Sequence, residues 1–580
     1  MKKLLFVGII FLFGITACQN YTQPKSNQGT LTIADLQGCS HTSPYEGQLV
    51  EGVIGIVTAK VNNGFYLQSE ISDSLDCTSD AIFVYTREYS DIVPGDKVRI
   101  SGQIDEFNPD VANNLNLATT EIVNPVIEKI SSGNKLPEPV LIGSGGRTVP
   151  HQIIDNDEFR KFDPEEDGID FYESLESMLV RVSPGFVVGA RNRHNEVIII
   201  QFELFNENLI SEAGTLLQAE DDANPERIML NLNKSNREKL NIGMQLIDEV
   251  TGIMEYSYGN YKVRVFGVPE FSSTTSSSQI FGNANDDLSI ATYNVENLSR
   301  FDEEKKFINL AEHIVAHMDS PDIVILHEVL DDSGVEDDGT VSSQLTMERL
   351  IGKIVKQGGP AYAVAGIDPL NNRDGGISGG NIRSVILYRS DRGISLVDEG
   401  KNSILTSNPM VIGNDARQFS STRKPLVALF ERGGNHFLIL AAHLTSRGLD
   451  SPLFGNVQPI QRLEENKRIE QAELIYSFLA QVHSAYPEIT IIIAGDLNDD
   501  SWSATLNTLR GNIFHDAALL IDESERYSYI YEGNAIQLDH ILVSNPRIVT
   551  RFVILHLNSI FDHSLQVSDH DPVIVTLRFP

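Results

Sequence analysis

Residues 568–572 read Ser568-Asp569-His570-Asp571-Pro572 and run straight into the strand-like stretch 573–577. An acid, an imidazole and a second acid stand in a row, fixed by a proline at the mouth of a strand. That is poor material for a core and good material for a site. The same juxtaposition recurs on working back along the chain. Ala441-Ala442-His443-Leu444 follows the apolar run 437–440, Gly495-Asp496-Leu497-Asn498 follows 489–493, and Leu538-Asp539-His540-Ile541 carries its own acid–imidazole pair. Earlier still, Tyr293-Asn294-Val295-Glu296-Asn297 follows 288–291, and His327-Glu328-Val329 follows 323–326. In a layered α/β protein ligands bind at strand ends, because the rigid sheet aims loop side chains at one crevice. Asn, Glu, His and Asp in such positions form an inventory for hard-metal binding and proton transfer.

Between these strands Phe307, Leu310, Ala311, Ile314, Val315 and Met318 recur at helical spacing, as do Leu463, Ile469, Ala472, Ile475 and Leu479 within the otherwise polar 461–482. Strands alternating with helices over 286–580 predict an α/β (α+β) domain in which helices cover two packed sheets, a four-layer sandwich.

The upstream half reads differently. Over 45–128 short strands are punctuated by glycine and proline, with hairpin arms at 52–61 and 64–68 around Asn62-Asn63-Gly64, and further strands at 81–85 and 97–104. A small five-stranded barrel satisfies this pattern. A second β-rich unit, with a second OB-like barrel as one form open to it, is expected over 140–270, with 242–253 laid on 94–104 as a fainter copy of the turn-and-strand unit, strands near 178–182 and 197–202, and an acidic loop at 155–170. Phe65, Tyr66, Tyr256, Tyr258 and Tyr261 lack basic neighbours and read as core and isolated surface residues rather than as a base-stacking platform. The Ser/Thr-rich stretch 271–285 reads as a linker.

Composition and the N-terminus bound the class. At 580 residues several domains are expected. Lys2-Lys3 precede an apolar run over 4–15 that is too short for a permanent span, and Ile15-Thr16-Ala17-Cys18 resembles the lipobox of a bacterial lipoprotein. Residues 1–18 are therefore expected to be a lipoprotein signal peptide with Cys18 acylated, and 19–44 a tether to a membrane, outer membrane or cell surface. In an exported protein the remaining cysteines, Cys39 and Cys77, are expected to pair. With 45 basic and 80 acidic side chains and a net charge of −35, the chain lacks the basic footprint of a sequence-reading nucleic-acid binder. It leaves room for an enzyme that grips phosphate through metal and a few arginines. No obligate protein partner is implied.

The ordered series Asn294, Glu328, His443, Asp496-x-Asn498, Asp539 and Asp569-His570 resembles the endonuclease/exonuclease/phosphatase superfamily. Gly379-Gly380-Asn381-Ile382-Arg383, Thr422-Arg423-Lys424-Pro425 and His443-Leu444-Thr445-Ser446-Arg447 resemble its secreted, deoxyribonuclease-like bacterial branch. Residues 64–68 and 94–102 resemble the OB-type barrel found upstream of some of those nucleases. The resemblance implies Glu328, Asn294 and Asp569 as ligands of Mg²⁺, with Mn²⁺ or Ca²⁺ as alternatives. It implies Asp496 as the base orienting water, Asn498 as a donor to phosphate, His570 as proton carrier fixed by Asp539, and His443 as a second imidazole. Arg383, Asn381, Arg423 and Arg447 would contact phosphate or substrate. His327 stands where the superfamily often has glutamine. The acid-rich 331–339 lacks EF-hand spacing and reads as a solvated loop, and His540 and His556 receive no role.

The implied activity is a metal-dependent nuclease acting on DNA, and on RNA as a second polymer. A phospholipid or phosphomonoester hydrolase of the same fold is the alternative, as is a non-catalytic nucleic-acid-binding lipoprotein. Retention of Glu328, Asp496, Asn498, Asp539 and His570 argues against the last.

Overall fold

The computed structural model describes residues 31–88, 91–109, 115–205, 210–236, 238–273, 279–282, 287–397 and 405–579. The signal segment, Cys18, residues 19–30 of the tether and most of the Ser/Thr stretch lie outside them; the rest of the expected tether is folded, since the helix Ile33–Gln37 buries Ile33 and Leu36 in the barrel core.

Strands Leu49–Val61, Gly64–Gln68, Ala81–Tyr85, Thr119–Ser131 and Lys97–Phe107 pair in that order into a closed five-stranded barrel. Its interior is apolar, with Val53, Val57, Phe65, Leu67, Ile82, Val84 and Ile100 buried. Cys39 and Cys77 are joined by a disulfide, their Cα atoms 5.0 Å apart.

The second β-rich unit is an eight-stranded sheet in the order Gln245–Leu246, Gly185–Gly189, Glu196–Gln201, Ile228–Asn231, Asn260–Val265, Val250–Ser257, Leu179–Val182 and Val140–Ile142. Its two end strands do not meet, so it is not a second closed OB-like barrel. The reason is local. Residues 94–104 are one turn feeding one strand, whereas 242–253 are split between two strands, one at each end region of the sheet. The barrel aromatic Tyr66 packs with Phe83 against Leu179 and Ile253 of this sheet.

The C-terminal domain has the four layers expected. A six-stranded sheet runs Ala363–Ala365, Arg383–Tyr388, Ile323–Val329, Leu288–Leu298, Val573–Leu577 and Val549–Ile554. The other sheet is built along Ile394–Leu396, Leu426–Arg432, Asn435–His443, Thr490–Asp496, Asp539–Val543 and His515–Asp516. The two-residue period of a strand sorts each side chain. Ile290, Ile325, Ile439, Ile492, Ala494 and Ile541 meet between the sheets. Ile491 and Ile493 face Ala472, Ile475 and Leu479 of the helix Glu465–Ala485. Ala291 and Tyr293 face Phe307 and Leu310 of the helix Glu304–Glu312. Leu463 precedes its helix and is exposed, contrary to the periodic reading.

The three units are wedged together. Phe454 of the C-terminal domain is 3% exposed and lies in the core of the middle sheet, against Tyr172 and Tyr261. The Tyr256 hydroxyl donates to the Phe454 carbonyl at 2.8 Å and accepts the Leu117 N–H at 3.0 Å, so one hydroxyl joins all three. Phe454→Ala is expected to cost about 3–5 kcal/mol, read as a lower urea midpoint of the full chain. An unchanged midpoint would show that the ring does not hold the units together.

Candidate active site

The strand ends converge at one end of the sandwich. His443, Asp496 and Asp539 are direct cross-strand partners on three adjacent strands, and all share the parity of the residues that fill the space between the sheets. Asn294 is on the opposing sheet with the same parity. Glu328 has the wrong parity and reaches the site by a backbone device. It sits at φ +62°, and the pairing of its strand shifts register between Leu326 and Val329, which turns its side chain inward.

The Asn294 amide donates to Glu328 Oε1 at 3.2 Å and to Asp496 Oδ2 at 3.1 Å, bridging the two sheets. The Asn297 N–H donates to Glu328 Oε2 at 3.0 Å. His443 Nε2 lies 3.3 Å from Asp496 Oδ2, and His570 Nε2 lies 3.8 Å from the same oxygen. His570 Nδ1 is 2.7 Å from Asp539 Oδ2, which also accepts from the Ser528 hydroxyl at 2.8 Å. That contact fixes the His570 tautomer and aims Nε2 at the cleft. The Asn498 N–H donates to Asp496 Oδ1 at 3.0 Å, with Asn498 at φ +52°.

Electrostatics splits the two imidazoles. Burial holds His443 well below its ordinary value, reinforced by Arg423, so it is neutral despite its nearness to Asp496. Burial also opposes charge on His570, but Asp539 and Asp496 outweigh it and raise His570 well above the usual histidine range. Burial pushes Asp496 up to about 7; His570 works against that rise, and Asp539 and Glu328 with it. His327 is held down to about 4 by burial, and spans the Thr292 and Ser384 hydroxyls at 3.0 and 2.8 Å, a neutral bracing role an amide would also fill.

Glu328, Arg423, His443, Asp496, Asn498, Asp569 and His570 line one cleft of about 700 Å³. Glu328 and Asp569 face it with no lysine or arginine ion pair among the described residues, and Asn294 and Asn297 supply only neutral amides to Glu328. Two carboxylates without a lysine or arginine ion pair on the wall of one cleft fit a hard divalent cation. Asn294 presents its N–H rather than its oxygen and braces the carboxylates in place of ligating. Asp496, Asp539 and His570 also bring ligand atoms within 4.8 Å of one another. There the His570–Asp539 contact already uses one ligand atom of each.

Two sequence expectations are corrected. Arg383 pairs with Asp368 at 2.7 Å and donates to the Asn381 carbonyl, in a separate cavity, because the start of its strand lies toward the sheet edge. The Asn381 amide is spent on Asp331 Oδ2 and the Thr340 carbonyl, each at 2.8 Å, so it ties loops together and leaves phosphate to others. Asp331 is fully buried in that knot, not solvated. Arg423 and Arg447 do line the cleft, held by the Leu444 carbonyl at 2.6 Å and Asp500 at 2.5 Å. Asp571 does not reach the cleft; it accepts from the Asn558 and Ser559 N–H groups and shapes the loop that delivers His570. His540 bonds the Asp499 and Gln537 carbonyls, and His556 stacks on Tyr527 beside Asp571.

The sequence missed Arg462, Tyr529 and, from the other units, Asn116, Gln218 and Tyr258, all of which line the cleft. Tyr529 packs its ring at a tilt against the His570 ring, the centroids 4.8 Å apart. Alternating aromatics in Tyr527-Ser528-Tyr529-Ile530-Tyr531 were the one local signal for it.

Residues 291–570 match the Endonuclease/Exonuclease/phosphatase family, and residues 141–273 match a Domain of unknown function, DUF8508. Residues 291–570 belong to the Endonuclease/Exonuclease/phosphatase family. No curated protein matches the chain. Similar solved structures include a D. rerio TDP2 humanized by 14 mutations (17% identity, covering 51% of this chain and 100% of that one, TM-score 0.36). A Bacteroides thetaiotaomicron mannosyl-6-phosphatase (17%, 50% and 100%, 0.34) and the human Nocturnin catalytic domain (17%, 51% and 94%, 0.35) are also similar.

Gly495 is where the endonuclease/exonuclease/phosphatase domain tolerates least. At φ +151°, a Cβ there would lie 1.8 Å from the Ala442 carbonyl oxygen and 2.9 Å from His327. Gly495→Ala is expected to cost at least about 3 kcal/mol. Urea unfolding checks this, and a cost below about 1 kcal/mol would contradict the close approach of the two strands.

Proposed function

We propose that the chain is an exported, lipid-anchored, metal-dependent nuclease that hydrolyses phosphodiester bonds of DNA, and of RNA where single strands reach the cleft. One observation carries the reading: a His570–Asp539 pair, with His570 charged, faces the buried Asp496 carboxylate across a cleft that also exposes Glu328 and Asp569. Its walls come from three units, and Tyr258 (77% exposed) and Tyr531 (57% exposed) stand along it as surfaces on which bases can stack. The closed N-terminal barrel, read as OB-type, adds Asn116 to that wall. A cleft walled in this way suits a polymer better than a compact phosphomonoester. Cys18 in its lipobox-like context supports the anchor, and the acidic surface suits an extracellular protein.

Glu328 and Asp569 would hold the cation, Mg²⁺ by preference, which when bound neutralises charge on the scissile phosphate. The chain's own groups do the rest. Asp496, raised toward neutrality by burial and oriented by the Asn294 amide, accepts a proton from water that His443 helps to hold. Asn498 turns its amide from the Leu444 carbonyl toward a phosphate oxygen. His570 Nε2–H donates to the developing charge, and Asp539 stabilises the imidazolium throughout. Arg423 is positioned behind Leu444 to add positive potential.

An activity panel on supercoiled plasmid, RNA, sphingomyelin and a sugar phosphate, with Mg²⁺, Mn²⁺, Ca²⁺ or EDTA, tests the substrate. Plasmid cleavage in Mg²⁺, abolished by EDTA, is expected. Hydrolysis of the sugar phosphate or the lipid with plasmid untouched would overturn the nuclease reading. Asp496→Asn and His570→Ala are expected to lower kcat about 10³-fold with unfolding temperature retained, and near-normal rates in either would remove its assigned role.

The pH profile has a definite sign. His570 acts protonated, and Asp539 keeps it so by raising its proton affinity. In Asp539→Asn that support is gone, His570 loses its proton at lower pH, and the alkaline limb of kcat/KM moves toward acid. An alkaline limb that stays in place would mean His570 is not the donor.

A further inference from the structure

Outside the catalytic cleft, one loop of the middle unit gathers five aspartate carboxylates. Asp155, Asp157 and Asp167 bring carboxylate atoms within 4.8 Å of one another, and Asp163, Asp167 and Asp170 do the same. That separation is about twice a Ca²⁺–oxygen distance of roughly 2.4 Å, the widest at which two oxygens share one ion. Acidic side chains crowd together on many surfaces, so the decisive residue is the one common to both groups.

Asp167 is 0% exposed, its Oδ1 has no hydrogen-bond partner, and its Oδ2 receives only the Asn156 N–H at 3.4 Å. It precedes the helix Gly168–Glu173 yet makes no side-chain cap bond to it. Asp163 Oδ1 is likewise buried and unpartnered. A carboxylate oxygen shut away from water without donor or counter-ion is costly. The cations nearby serve other carboxylates and leave Asp167 without one: Lys161 holds Asp163 Oδ2 at 2.5 Å, Arg160 pairs with Glu158 at 2.8 Å, and His41 takes Asp170 Oδ1 at 2.6 Å.

We propose that the loop 155–170 binds a calcium-type divalent cation around Asp167, as a structural site distinct from the catalytic one. None of its residues lines the catalytic cleft. A donor set of carboxylate oxygens alone, offered by several residues of one winding loop, suits the high and flexible coordination of Ca²⁺ better than small octahedral Mg²⁺ or nitrogen- and sulfur-seeking Zn²⁺. The loop also cages His41 between Phe159 and Phe162, at ring distances of 4.8 and 5.2 Å. His41 follows closely on the disulfide-bonded Cys39, so an ion here fastens the start of the barrel to the middle unit.

The test uses the full chain carrying Glu328→Gln, which weakens cation binding in the cleft, titrated with CaCl₂ by calorimetry while its unfolding temperature is followed. Saturable Ca²⁺ binding and a Ca²⁺-dependent rise in unfolding temperature are expected to persist in that background. Adding Asp157→Asn, a half-buried ligand whose replacement keeps its backbone contact, should weaken binding about tenfold or more. Adding Asp167→Asn should abolish the Ca²⁺-dependent rise and, by removing a buried charge, stabilise the Ca²⁺-free chain. No Ca²⁺-dependent rise in the Glu328→Gln chain, or an equal rise in the Asp157→Asn and Asp167→Asn chains, would overturn the proposal. The readout is heat and unfolding, so it is independent of which substrate the cleft takes.

Discussion

The Asp496 carboxylate, almost fully buried in the wall of the cleft, is the constraint to which the rest of the catalytic domain answers. Such a charge costs several kcal/mol unless donors surround it. Here the donors come from every side: an amide from the opposing sheet, a backbone N–H from the turn that follows, a neutral imidazole from one neighbouring strand and a charged one from the C-terminal loop. The same arrangement that makes the charge tolerable makes it reactive. With water excluded, protein dipoles act at close quarters and cost no reorganisation as a reaction proceeds.

The two histidines show how position alone assigns roles. His443 and His570 both approach Asp496 Oδ2, yet only His570 has a second carboxylate behind it. One imidazole is therefore kept neutral and the other charged, the divergence that separates a positioning group from a proton donor. Around this centre the middle unit clamps both lips of the cleft. Its core receives Phe454 from one lip, and Asn260 donates to Glu328's distant neighbour in the wall, Glu532, at 2.7 Å on the other. A domain of unknown function thus becomes part of the wall of the hydrolase cleft.

Much of this was legible in the chain because strands impose a period of two. Apolar runs ending in polar residues located the strand ends, while the shared parity of Asn294, His443, Asp496 and Asp539 emerged from the strand pairing. Glu328 could be read from its surroundings but its route inward could not, since a left-handed residue in a strand leaves no mark in composition. Arg383 and Asn381 sat in a convincing motif, yet a strand next to the sheet edge can begin near a site and face away from it. Tyr258 was beyond reach, because no local pattern reports that a hairpin tip from one unit leans over a cleft in another. The second barrel failed for a related reason: matching 242–253 to 94–104 compared residue types without knowing that a turn splits the later segment between two strands.

The central claim, that these scattered acids and imidazoles serve one cation and one phosphate, is tested most directly by crystals of the full chain soaked in Mn²⁺ with a short DNA strand, using the anomalous signal of the metal. The account predicts a peak between Glu328 and Asp569 with a phosphate oxygen against His570 Nε2. A cation seated instead between Asp539 and His570, or a phosphate bound away from Asp496, would contradict it.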